Sequence, residues 1–314
     1  MGEHLVVGID GGGSKTRGVV ARIGIDGQMR MLKEWTGPPA NWLGVPGANR
    51  LTGESIREVC CNLLEGTDGV PVAGAVAGIA GMSLPGRRQT VLSCLREGFP
   101  AARCEVIGDA QAAYYGAIAR GDGIVVISGT GSIAITRRDG RWMTAGGGGI
   151  VLGDEGSGFR IGQMGLRAAI RDQEKRGGVT RLRERALNHY GVSSLNELPA
   201  RVHSQHGIGV AKVAGFCREV FAAARAGDPV ARCILEEAGR ELAGLAGSLL
   251  TRCGSTRGIP VHLVGGVWRG APPVVEPFAC RLWAEWGPLP ILTPLNQPAE
   301  GAALRAREIL SGTR

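Results

Sequence analysis

The sequence predicts an α/β protein of two similar halves, each a mixed five-stranded sheet with helices on its faces. Three observations carry this. The order meander, helix, strand, helix, strand, helix occurs twice in 314 residues. Each meander has a glycine-rich turn between its first two strands, Gly11-Gly12-Gly13 in one and Gly129-Thr130-Gly131 in the other. The strands that alternate with helices are short apolar runs, as expected of parallel strands covered on both faces.

In chain order, Leu5 to Ile9, Arg17 to Ile23 and Met29 to Trp35 read as the first meander, with Asp26-Gly27 as a hairpin turn because both positions tolerate positive φ. An amphipathic helix is predicted near Ala48 to Glu65. Strand Val72 to Ile79, helix Pro85 to Glu97, strand Cys104 to Ile107 and a helix opening at Asp109 complete the first half. Gly123 to Ser128, Ser132 to Arg137 and Arg141 to Thr144 form the second meander around Asp139-Gly140. Helices follow over Phe159 to Lys175, Lys212 to Ala226 and Asp228 to Arg252. Strand Val261 to Val264, helix Pro272 to Trp286, strand Leu289 to Leu292 and helix Asn296 to Leu310 close the chain. The predicted lobes are therefore 1–120 and 121–314, with the terminal helix able to return to the first lobe.

Composition narrows the function. No stretch offers the roughly 18 apolar residues that span a bilayer, and Met1-Gly2-Glu3-His4 leads into a strand without the pattern of an export signal. A cytoplasmic protein with no membrane partner is expected. The net charge is +8, but the basic residues are dispersed and aromatics make up 4%. No nucleic-acid partner is expected, and a positive field suits an anionic nucleotide equally well. The eight cysteines (60, 61, 94, 104, 217, 233, 253, 280) form no C-x-x-C pair and read as small buried residues.

The candidate chemistry sits in the turns. Gly8-Ile9-Asp10-Gly11-Gly12-Gly13-Ser14-Lys15-Thr16 puts converging backbone N–H groups, a lysine and hydroxyls in a hairpin suited to phosphate. Asp10 at the strand end is placed to hold Mg²⁺, often through water. Ser128-Gly129-Thr130-Gly131-Ser132 repeats the device. Val264-Gly265-Gly266-Val267 follows a buried strand, where glycines let an adenosine approach the backbone. Asp109 ends a strand and begins a helix, so a capping role alone would account for it. Asn41 and Trp42 follow a Pro-Pro turn and are candidates to meet a sugar ring. His203 and His206 lack the companions of a metal site, and no zinc is expected.

These segments resemble the two phosphate motifs and the adenosine motif of the superfamily that unites actin, the heat-shock ATPases and the sugar kinases. Within it the chain resembles the N-acetylglucosamine kinase family, related to the BadF-type ATPases. The specific pieces are Gly108-Asp109-Ala110, Ser128 to Ser132, Gly153-Asp154-Glu155-Gly156-Ser157, Ala214-Gly215-Phe216-Cys217-Arg218 and Gly227-Asp228-Pro229. The resemblance implies two actin-like, ribonuclease H-like lobes with a nucleotide cleft between them that closes on sugar, and a homodimer. It implies an amino-sugar kinase using ATP and Mg²⁺, with phosphorylation at the 6-hydroxyl of N-acetylglucosamine or glucosamine.

By residue, it implies Asp109 as general base. Asn41, Trp42, Gly147, Gly148, Gly149 and Asp154 would bind sugar. Gly11, Gly12, Gly13, Ser14, Lys15, Thr16, Gly129, Thr130, Gly131, Ala214, Gly265 and Gly266 would bind nucleotide, and Asp10 the metal. The sequence departs from the animal enzymes at Gly148, where they carry a bulky aromatic. N-acetylmuramate as acceptor, a BadF-type ATPase coupled to a partner through a cysteine-ligated iron–sulfur cluster, and a non-catalytic sensor are the competing readings. The scattered cysteines speak against the cluster, and Asp109 against the sensor.

Overall fold

The computed structural model describes residues 3–25, 28–42, 45–65, 70–118, 121–203, 208–254, 258–270 and 272–312. The chain forms two compact units, 1–121 with 294–314 and 122–293.

In the first unit, β1 (His4–Gly11), β2 (Thr16–Ile23), β3 (Met29–Gly37), β4 (Val72–Ile79) and β5 (Arg103–Gly108) make a sheet of order β3-β2-β1-β4-β5. β1 pairs antiparallel with β2 and parallel with β4, which pairs parallel with β5. The two-residue alternation of a strand sends Leu5, Val7 and Ile9 to one face and Val6 to the other. The first face is buried with Ile56, Val59 and Leu63 of α1 (Ala48–Leu64) and Val91 and Leu95 of α2 (Arg87–Gly98). The second is buried with Ala112 of α3 (Asp109–Ile118) and with Ala299, Ala302, Ala303 and Ala306 of the C-terminal helix. That helix, Pro298–Ser311, lies so close to β1 that a side chain at Gly8 would overlap the backbone of Ala299 and Ala303. The run 121–314 is thus not one structural lobe, because the alanine stripe of its last helix is buried against the first sheet.

In the second unit, β6 (Ile124–Ser128), β7 (Ser132–Arg138), β8 (Arg141–Gly146), β9 (Val261–Val264) and β10 (Ile291–Leu292) make a sheet of order β10-β9-β6-β7-β8. Asp139 and Gly140 both take positive φ, 49° and 76°, in the β7–β8 turn, whereas Asp26-Gly27 lies outside the described residues, as does His206. The helices are α4 (Gly149–Leu152), α5 (Gly158–Gln173), α6 (Leu182–Tyr190), α7 (Leu198–His203), α8 (Val210–Gly215), α9 (Cys217–Arg225), α10 (Pro229–Cys253) and α11 (Pro272–Trp286), with the C-terminal helix of the first unit completing the series as α12. The single helix predicted over Lys212 to Ala226 is broken at Phe216, whose ring is fully buried. No helix is predicted over 182–190, where only Leu182 and Ala186 are buried on a polar segment, yet α6 forms there. The glycine-rich 145–157 run contains one helical turn, α4. Of the cysteines, Cys60, Cys94 and Cys217 are buried, and burial pushes the thiols of Cys60 and Cys217 up to about 12; Cys61, Cys233 and Cys280 are exposed instead. No helix among the described residues is long and apolar enough to cross a membrane.

Candidate active site

In the first unit the candidate groups gather at the carboxyl ends of β1, β4 and β5. Asp10 pairs with Gly78 of β4, and Gly78 with Ile107 of β5, two residues before Asp109. Asp109 opens α3, and its Oδ1 accepts from its neighbour Ala110 N at 2.9 Å. Its side chain is open to solvent, yet the surrounding protein mass desolvates it and raises its pKa above the ordinary carboxylate value, the Ala110 bond acting against the shift. Access to water limits how far the shift goes. Asp10 is half-buried; burial first, then repulsion from Asp109, pushes its pKa up to about 7, against the opposing pull of Arg17 and Lys15.

Not every glycine of the first turn faces outward. Gly11 is the buried last residue of β1, where a Cβ would press on Ile79 (2.6 Å) and Ala40 (2.9 Å), so packing leaves no room for a side chain there. Thr16 is likewise buried, its hydroxyl without a partner. Gly12 N donates to Lys15 O at 3.1 Å and closes the turn, which leaves Gly13, Ser14 and Lys15 exposed. The Gly12 carbonyl accepts from Ala40 N and Asn41 N, both at 3.1 Å, and so ties the segment carrying Asn41 and Trp42 to the hairpin. Both are half-buried, and the Trp42 indole N–H is buried without a partner.

In the second unit a corresponding set surrounds the end of β6. Gly129 N donates to Gly131 O at 2.9 Å, and Gly158 N, at the start of α5, donates to Gly129 O at 2.8 Å. A Cβ on Gly158 would lie 2.9 Å from Gly129 O and 3.5 Å from Ala214 O, so Ala214 borders the same place. Gly265, at φ 115°, lies directly against the Ser128 carbonyl with no room for a side chain, while Gly266 is open. The structure therefore brings Gly129, Thr130, Gly131, Ala214, Gly265 and Gly266 together.

Asp154 packs against the second glycine turn. It is 7% exposed, its Oδ1 accepts from Ser132 N at 3.1 Å, and it sits against Gly131, whose added Cβ would fall 2.8 Å from that oxygen. It braces the second glycine turn, because a left-handed backbone (φ 59°) folds the 153–157 loop back onto the hairpin. Ser132 Oγ and Ser128 Oγ bond the Glu155 and Gly156 carbonyls in the same loop. Gly147, Gly148 and Gly149 are exposed; at Gly148 a Cβ would crowd the Leu152 and Gly153 backbone at 3.2 to 3.4 Å.

One open glycine and one crowded one give a test that separates binding from folding. A Cβ at Gly129 meets nothing within 4 Å, so Gly129→Val is expected to retain the fold and weaken ATP binding, read by calorimetry beside thermal melting; Gly265→Ala is expected to lower the melting temperature itself.

The family model of the BadF/BadG/BcrA/BcrD ATPases matches residues 7–306. The chain belongs to that ATPase family. Among its relatives, the N-acetylmuramic acid/N-acetylglucosamine kinase of Clostridium acetobutylicum is 30% identical over 96% of this chain and 98% of its own. The N-acetyl-D-glucosamine kinase of Dictyostelium discoideum is 26% identical over 98% of each. A solved Chromobacterium violaceum protein, proposed to be an N-acetylglucosamine kinase, superposes with a TM-score of 0.73 at 24% identity, covering 97% of this chain and 99% of its own, and so shares the fold.

Gly227-Asp228-Pro229 has a structural part. Asp228 caps α10 through Ala231 N (2.9 Å) and accepts from Thr180 Oγ1 (2.7 Å) and Arg181 N (2.6 Å). Sequence reasoning missed Arg87. It stands in Gly86-Arg87-Arg88 at a helix start, which reads as a solvated charge pair, yet it is fully buried and donates to Asn41 Oδ1 at 2.8 Å.

Proposed function

We propose that this family member transfers the γ-phosphoryl group of ATP to the 6-hydroxyl of an amino sugar, with N-acetylglucosamine and glucosamine as the leading acceptors. The observation that carries this reading is Asp109: a solvent-open carboxylate of raised basicity, on the same sheet edge as a glycine turn and a second carboxylate, Asp10. A carboxylate of raised basicity can take the proton of a hydroxyl as it attacks phosphorus. The names of the relatives support the acceptor class.

In this reading Asp109 orients the sugar hydroxyl and receives its proton. Asn41 and the Gly147 to Gly149 backbone meet the sugar, while Gly13, Ser14, Lys15, Thr130 and the backbone of Gly129 and Gly131 meet phosphates. Gly265, Gly266 and Ala214 give the adenosine close access to backbone. Asp10 fits a Mg²⁺ ion held through water, since burial beside Asp109 leaves its carboxylate reluctant to ionise unless a cation is near. Bound there, Mg²⁺ would neutralise charge on the phosphates. Gly11 and Thr16 shape the first turn, and Asp154 braces the second.

The test is ADP release with Mg²⁺-ATP over glucosamine, N-acetylglucosamine, N-acetylmuramic acid, glucose and 6-deoxy-N-acetylglucosamine. Strong stimulation by one amino sugar, absent with the 6-deoxy analogue, is the expected result. Equal hydrolysis with and without every sugar overturns the kinase reading in favour of a partner-coupled ATPase. The Clostridium relative's name is the reason N-acetylmuramic acid stands as a second acceptor.

A further inference from the structure

Asn41 is held from both sides. Its backbone is fixed by the Gly12 carbonyl, while Thr52 Oγ1 and Ser55 Oγ of α1 donate to the carbonyls of Ala40 and Pro39, both at 2.7 Å. Its side chain is fixed by Arg87, whose Nη1 donates to Asn41 Oδ1 at 2.8 Å and to Ala80 O, just past β4, at 3.0 Å. A guanidinium has donors and no acceptor. The amide must therefore turn its oxygen toward Arg87 and its NH₂ away. That nitrogen bonds no described residue, and Asn41 is half-buried.

The arrangement sacrifices stability. Arg87 is 0% exposed, forms no ion pair among the described residues, and leaves Nε and Nη2 buried without partners. Desolvation lowers its pKa, but a guanidinium stays charged. A carboxylate in place of the Asn41 amide would pair with this buried cation, and breaking or lacking such a pair is costly. The chain has an amide there instead. An amide differs from a carboxylate in having N–H donors to offer on its outward side.

We infer that Arg87 is a positioning residue for the acceptor sugar: it locks Asn41 with the amide NH₂ outward, so that position 41 reads a hydrogen-bond acceptor of the sugar, a hydroxyl or N-acyl oxygen, beside the first glycine turn. This rests on the amino-sugar kinase reading above. It makes Asn41 a donor toward the sugar and assigns the covered arginine a role in specificity.

Asn41→Asp tests it with N-acetylglucosamine, or whichever amino sugar the wild type turns over best, as the probe. The expected result couples opposite changes. The melting temperature rises, because the introduced carboxylate pairs with Arg87, while the KM for sugar rises about tenfold, one donor bond being lost, and the KM for ATP stays within about twofold. Arg87→Met, which frees the amide to rotate, is expected to raise the sugar KM comparably. A monodeoxy sugar that loses affinity in the wild type and none further in Asn41→Asp marks the atom that is read, a coupling that a purely structural role would not produce. Wild-type turnover with an unmoved sugar KM in Asn41→Asp, or a lowered melting temperature, overturns the inference alone. No wild-type turnover on any amino sugar overturns the functional reading and this inference with it.

Discussion

Asp109→Asn is expected to lower kcat by at least about 10²-fold, the lower end of general-base contributions, with ATP affinity little changed. The substitution keeps the size of the side chain and its bond from Ala110 N while removing the proton acceptor. Single-turnover kinetics with a saturating amino sugar, beside nucleotide titration, separate the two effects. Full turnover in Asp109→Asn would remove this carboxylate from the mechanism. The pH profile follows from the same group. A base works deprotonated, and burial raises the Asp109 pKa, so the acid limb of kcat/KM is expected above the ordinary carboxylate value of 3.8, with activity rising as pH passes through the raised pKa.

Asp10→Asn is expected to raise the Mg²⁺ needed for half-maximal rate by about 10- to 100-fold, the range for groups that act through a metal's outer sphere, and to stabilise the metal-free protein at the same time. Asp10 titrates near 7 in the folded chain against 3.8 without the fold, through burial and then the nearby Asp109. Its folded pKa is raised, so the stability linked to its proton is complete below about 3.8 and is lost as pH rises through about 7. Asparagine never ionises. In chelator-treated protein, Asp10→Asn should therefore melt above the wild type at about pH 8, and the gap should shrink toward about pH 5. A variant that melts below the wild type at the higher pH would show that Asp10 is not the strained carboxylate described here.

Sequence by itself determined the parts of this protein that depend on neighbours along the chain. Period-two apolar strands, the glycine turns after β1 and β6, and the carboxylates Asp10 and Asp109 at strand ends all follow from local patterns, because a strand's two faces and a turn's tolerance of glycine are properties of a few consecutive residues. Tertiary structure decided what depends on distant faces meeting. Gly11 and Asp154 belong by motif to binding loops, yet one is buried under Ile79 and Ala40 and the other is turned into the second hairpin. The terminal helix joins the first sheet because its alanines fit the space over Gly8, across almost the whole chain. Arg87 could be connected to Asn41 only by folding, since they lie 46 positions apart and an arginine at a helix start carries no sign that its charge will be buried. Burial of a charge is a property of the packed interior, and that interior exists only once both segments are in place.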